Sequence, residues 1–290
     1  MPQEEYRSLV QETGEVYHCA ADVRHYAAEE KEYMTINVGG TVNVLKFAGE
    51  AGAEFYHMST CSVSGEHLRM DDKPCLFTEQ DFEIGQDWDK NIYVKSKFLA
   101  EKEVFDAIRR GMPAKIFRLG RLVGRAADGV FQKNPDSNAF YLLMRAFAVA
   151  GCMPESVKDV PVDLTPVDYA AKAVLTLKGT DADVFHIIQP DPQTAGAIIR
   201  EIDPSMEIVE DETFSRRLAE LSAGPCREQV SVLIDYWNHI RYDSPTIGLS
   251  GKATHKMLEQ TGFSYEIPSA GILLKSFPLQ ESWVTEGAVK

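Results

Sequence analysis

A chain of 290 residues and 32.4 kDa can bury one large core or two smaller ones, and 44% hydrophobic with 26% charged residues describes a folded globular protein, not a disordered one. The formal net charge of -14 argues against nucleic acid as the main partner, because phosphate backbones are bound by basic surfaces. No apolar run approaches the roughly 20 residues that span a bilayer, and the five cysteines form no Cys-x-x-Cys pair, so neither a membrane span, a disulfide framework nor a metal site is expected.

The first segment, residues 2–13, carries Tyr6, Leu9 and Val10 at helical spacing, and Gly14 ends it. Residues 15–20 then read as a short buried strand. Residues 29–52 carry Tyr33, Ile36, Asn37, Thr41, Val44, Leu45 and Ala48 as a helix-period stripe closing on glycine. A strand over 54–60, a long amphipathic helix over 92–111 and a strand over 115–120 follow. Helices over 139–150 and 167–177 and a strand over 184–188 continue the alternation. Strand and helix alternating at this spacing predict a parallel sheet with crossover helices. Beyond Gln189, three prolines (Pro190, Pro192 and Pro204) punctuate the chain. Helices then dominate, at 212–221, 227–240 and 251–260. The expected division is an α/β core over 1–189 and a smaller, mainly helical subdomain over 190–290.

Tyr93 and Lys97 stand four residues apart at the start of the long helix, so their Cβ atoms lie roughly 5–6 Å apart on one face. An ammonium that close is expected to lower the tyrosine pKa. Such a phenol can pass a proton to a carbonyl oxygen as hydride arrives at its carbon. The spacing alone also arises by chance in a chain of this size; its context is what carries the reading. Upstream, the strand ending at Ser59-Thr60 runs into Cys61-Ser62-Val63-Ser64-Gly65, and hydroxyls at the C-terminal ends of parallel strands sit where α/β sheets bind ligands.

These segments resemble the extended short-chain dehydrogenases/reductases. Tyr93 through Glu101 is similar to their "Y-x-x-S-K-x-x-x-E" run, and 57–65 to their strand-end hydroxyl motif. Val16 to Ala21, Asn37 to Leu45 and Phe117 to Gly124 resemble further motifs of the family, in the same order. Val162-Asp163-Leu164-Thr165-Pro166-Val167-Asp168-Tyr169 is similar to a phrase of thioester reductases, the terminal reductase domains of nonribosomal peptide synthetases and related carboxylic acid reductases. The resemblance implies a Rossmann-like fold binding NADP(H), with Thr60, Tyr93 and Lys97 as catalytic residues. It places Ala20, Ala21, Asn37, Ser59, Leu119 and Leu122 beside the cofactor, with Tyr93 and Lys97 also touching it. It implies reduction of a carrier-bound acyl or peptidyl thioester to aldehyde or alcohol, with an acyl or peptidyl carrier protein as partner.

The family's glycine-rich phosphate loop has no counterpart in this sequence. None of its glycine clusters has G-x-G-x-x-G or G-x-x-G-x-x-G spacing after a first strand. The chain is therefore expected to be N-terminally truncated relative to the family and to bind dinucleotide weakly. Its first strand is expected to expose an edge on which copies self-associate. Two other readings stay open: a cofactor-free remnant that binds only carrier and substrate, and a sugar-nucleotide epimerase or dehydratase of the same extended family. A cytoplasmic location is expected.

Overall fold

The computed structural model describes residues 1–23, 29–71, 73–133, 138–242, 246–265 and 268–273. The chain opens with helix α1 (Gln3–Glu12), strand β1 (Glu15–His18), helix α2 (Glu30–Tyr33), a π-helical segment (Met34–Gly39) and α3 (Gly40–Ala51). Strand β2 (Glu54–Thr60) runs into a 3-10 turn (Cys61–Ser64), followed by β3 (Cys75–Phe77), α4 (Ile92–Arg109) and β4 (Ala114–Leu119). Next come β5 (Leu122–Val123), α5 (Ala139–Ala150), β6 (Cys152–Pro154), β7 (Pro161–Val162), β8 (Thr165–Pro166), α6 (Val167–Leu177) and β9 (Val184–Ile187). The remaining elements are β10 (Gln193–Thr194), α7 (Ala195–Ile202), β11 (Glu207–Val209), α8 (Asp211–Ala223), α9 (Arg227–Tyr242), β12 (Ile247–Leu249), α10 (Lys252–Gln260) and α11 (Ala270–Leu273).

Four strands pair in parallel in the order β1-β2-β4-β9, the parallel sheet that the alternation predicts and the Rossmann-like layer that the resemblance implies. Phe55, Ala114 and Ile116 of this sheet pack against Leu45 and Ala48 of α3 and against Val104 and Ala107 of α4. Helix α4 starts on Asn91, whose side chain accepts from the Val94 N–H at 3.2 Å, satisfying one of the free donors of the first turn. Its buried face, Lys97, Ala100, Glu101, Val104 and Ala107, recurs at helical spacing.

The described residues fall into two compact units. One comprises those in 1–120, 170–188 and 245–264; the other comprises those in 121–169, 189–244 and 265–290. This interleaving differs from the linear division at residue 189. Residues 121–169 contribute Phe140, Tyr141, Phe147, Met153 and Leu164 to one apolar cluster with Ile198, Phe214, Val230, Leu233 and Trp237. In the other direction, β12 returns to pair with β3, Ile247 opposite Cys75. The single helix expected over 29–52 is interrupted by the π segment. Helix α7 lies where no particular element was expected; its Thr194 cap accepts from the Ala197 N–H at 3.3 Å. Among the described residues no helix is long and apolar enough to cross a membrane, and no group of three His, Cys, Asp or Glu side chains is arranged to hold a metal.

Candidate active site

The first unit gathers chemistry at the C-terminal ends of β1, β2 and β4. At the end of β2 the Thr60 hydroxyl accepts from the Ser62 N–H at 3.2 Å, which caps the 3-10 turn and stops the strand. Tyr93 lies in the first turn of α4, and its phenol shares a hydrogen bond with the Thr60 hydroxyl. One turn further, Lys97 is 4% exposed, and its Nζ donates to the Met58 carbonyl at 2.7 Å. The three residues expected to be catalytic thus converge on one strand end, two of them in direct contact.

The electrostatics differ from the expectation. Burial pushes the Tyr93 phenol above its ordinary pKa; the Thr60 hydroxyl pulls the other way and Tyr33 adds to the rise. Lys97 is not among the groups that move it; its Nζ donates to the Met58 carbonyl. Burial brings Lys97 itself down to about 8, against the opposing pull of Glu101 and Cys19.

Asn37 joins two of these strand and helix ends. Its Oδ1 accepts from the Asp22 N–H at 2.6 Å, and its Nδ2 donates to the Asp22 carbonyl at 3.0 Å and to Ser96 Oγ at 2.8 Å. Ser96 Oγ in turn donates to the Tyr93 carbonyl at 2.8 Å. Ala20 and Ala21 lie between Cys19, the first residue after β1, and Asp22, and Leu119 ends β4 in register with Thr60. Ser59 is turned to the opposite face from Thr60, as the strand's alternation requires, and donates to Glu101 Oε2. Leu122 belongs to β5 in the second unit.

The Val162–Tyr169 phrase does structural work in the second unit. Asp163 Oδ1 accepts from the Gln189 N–H at 2.8 Å and from Thr165 Oγ at 2.8 Å, and Oδ2 accepts from the Arg121 N–H at 2.7 Å. Asp168 Oδ1 accepts from the Ala126 N–H at 2.9 Å. The two carboxylates therefore fasten three backbone segments.

Sequence reasoning assigned no role to Glu101, Arg118 or His186, although the first two sit in motifs quoted above and His186 lies in the strand expected over 184–188. All three are 0% exposed in the first unit, and Arg118 donates to Glu101 through Nε at 2.9 Å and Nη2 at 2.7 Å. Two charged residues on otherwise apolar elements were the available signal, since buried charges are rare unless paired.

With this geometry in view, comparison with known proteins is decisive. The NAD-binding family model described as "Male sterility protein" matches residues 1–174. The chain belongs to that family. Among curated proteins, glycine betaine reductase ATRR of Emericella nidulans is 30% identical over 216 residues, covering 68% of this chain and 15% of that protein. The nonribosomal peptide synthetase FrzA of a Cladobotryum species is 28% identical over 220 residues, covering 72% of this chain and 20% of FrzA. A solved thiolation-reductase di-domain from an archaeal nonribosomal peptide synthetase superposes with a TM-score of 0.85 at 27% identity, over 97% of this chain and 60% of that one. The chain thus spans a fifth or less of these two curated relatives, at 15% and 20%. The extended short-chain dehydrogenase/reductase assignment of thioester-reductase type, drawn from the motifs, stands.

Proposed function

We propose that this chain forms the catalytic and substrate side of an NADPH-dependent reductase acting on carrier-bound acyl or peptidyl thioesters. The observation that carries the reading is the Thr60–Tyr93 hydroxyl pair at the end of β2, with the Lys97 ammonium buried behind it. Two hydroxyls at one strand end can donate to a single carbonyl oxygen and meet the negative charge that develops there. The raised pKa of Tyr93 keeps it a phenol at neutral pH, able to give its proton to that oxygen. A nicotinamide cofactor bound beside them would supply the hydride.

The residues present fit the nicotinamide and ribose end of such a cofactor. Ala20 and Ala21 after β1 and Leu119 at the end of β4, on either side of β2, offer small or apolar side chains for a flat ring, and Asn37 braces the backbone after β1. The Lys97 ammonium, with three donor positions, suits ribose hydroxyls. Among the described residues no glycine-rich turn follows β1, so the fit reaches only this end of the dinucleotide. A carrier protein bearing a phosphopantetheine thioester is the matching partner.

The test is NADPH oxidation at 340 nm with an acyl-pantetheine substrate, paired with an NADPH fluorescence titration. Turnover in the parent chain and a loss of at least about 100-fold in Tyr93→Phe are expected, the range for a general acid. Binding without turnover in the parent chain, or undiminished turnover in Tyr93→Phe, sinks the reading. Absent NADPH binding would favour carrier and substrate binding without hydride transfer.

A further inference from the structure

Across the sheet, Ser59 of β2 is in register with Arg118 of β4, and Arg118 with His186 of β9. This row is polar yet buried: Ser59 is 4% exposed, Arg118 and His186 0%. Glu101 reaches it from α4, accepting from Arg118 on Oε1 and from Ser59 on Oε2. Arg118 Nη1 meets His186 Nε2 at 3.0 Å, and His186 Nδ1 lies 2.7 Å from the Ser250 carbonyl. Because a guanidinium only donates, His186 accepts at Nε2 and carries its proton on Nδ1. The chain Ser59–Glu101–Arg118–His186 thus locks three strands and one helix together with every contact defined.

A buried ion pair does little for stability, since apolar packing of the same volume does as well or better. Its location gives it another use. Glu101 stands four residues from Lys97 on one face of α4, and its hydroxyl partner is the residue before Thr60. We propose that Glu101 is a positioning residue of the Thr60–Tyr93–Lys97 site: it fixes the strand end against the helix through Ser59 and presents its negative charge to the Lys97 ammonium. The inference deepens the reductase reading and rests on that reading for its purpose, though its test does not require turnover.

Among the described residues, the titratable groups that act on Lys97 or feel its charge are Glu101 from α4, Cys19 after β1, His18 on β1 and His57 on β2. Burial holds both histidines below their ordinary pKa and the thiol above its own. Of these groups Glu101 is the carboxylate, and its Oε1 pairs with the buried Arg118 guanidinium.

The experiment is an NMR titration of the lysine side-chain Cε and Nζ signals in the full chain, with Lys97→Met assigning the resonance. The parent midpoint is expected at about 8. Glu101→Gln should lower it by about one pH unit, a tenfold loss of proton affinity. That variant leaves a buried guanidinium without its anion, so Glu101→Gln combined with Arg118→Met, which buries no charge there, is measured alongside and should show a smaller fall in the same direction. Ser59→Ala keeps the carboxylate; it should leave the midpoint in place but speed amide exchange at Thr60 and Cys61. An unmoved Lys97 midpoint in the charge-removing variants, or unchanged exchange in Ser59→Ala, overturns the proposal. A failed reductase reading shows separately, as absent NADPH binding or turnover.

Discussion

Gly65 shows how much of the site depends on one backbone angle. Its φ of +64° lies in the left-handed region, and a Cβ there would stand 2.6 Å from Asp87 Oδ1 and 3.2 Å from Asp87 N. That same Oδ1 accepts from the Glu66 N–H at 2.7 Å and the His67 N–H at 3.1 Å, holding the loop that follows the Thr60 turn. Burial raises the Asp87 carboxyl, but these two N–H groups and Lys90 outweigh it and leave the carboxyl below its ordinary pKa. Gly65→Ala combines a strained angle with displacement of this capping carboxylate, so a loss of about 2–4 kcal/mol is expected in urea unfolding. A midpoint indistinguishable from the parent would refute this account. The Tyr93–Lys97 spacing was legible at this scale because helical geometry fixes where Cβ atoms lie. The course of the lysine stem was not, because four rotatable carbons can carry the ammonium to the phenol or, as here, to the Met58 carbonyl.

The π segment Met34–Gly39 makes the same point for an element. A stripe of apolar residues from 29 to 52 has one period, and nothing in it marks where the helix widens. The widened turn carries Asn37, 2% exposed, which bonds Asp22 at both its N–H and carbonyl and Ser96 at its hydroxyl. π-helical turns concentrate at functional sites, and this one ties the loop after β1 to the helix bearing Tyr93. Asn37→Ala removes all three bonds from a buried site, with Ser96 keeping its bond to the Tyr93 carbonyl. An expected loss of about 2–4 kcal/mol follows from 1–3 kcal/mol for each group left unsatisfied, partly relieved by relaxation. Hydrogen exchange should show the Asp22 amide losing protection first; protection equal to the parent would count against the bridge. The long helices and the four main strands were legible from period and glycine punctuation. Strands β5, β7, β8 and β10 were not, because two residues carry no period. The pairing of β3 with β12 is set by packing across some 170 residues of sequence, Cys75 to Ile247, which no local pattern encodes.

Over the whole molecule, the acid behaviour of the fold is set by its buried imidazoles. His57 is 0% exposed, its two ring nitrogens find no hydrogen-bond partner among the described residues, and burial holds its pKa well below the ordinary value. His186 is brought down to about 4, by burial first and by Arg118 second, and His18 is lowered by burial and Lys97. In the unfolded chain each ring takes a proton below about pH 6.5, while the folded rings stay neutral. The unfolded state then binds more protons, so stability falls as pH drops from about 6.5 towards 4. His186 alone contributes about 1.4 kcal/mol per pH unit across that window. The lowered carboxylates, among them Glu15, Asp87 and Glu201, act in a different range: their contribution is lost only as pH falls through the carboxylate range, below about 4, while Asp163, raised by burial, acts in the opposite sense. Urea midpoints at pH 7 and pH 5 should therefore differ by an amount traceable to histidine. His57→Phe isolates one share of it, since the ring stacked on Phe55 at 6.3 Å keeps its shape while the unpartnered nitrogens and their proton site are removed. The variant should gain about 1 kcal/mol at pH 7, from relief of unsatisfied polar burial, and more than that at pH 5. Equal gains at both pH values would show that His57 plays no part in the acid limb.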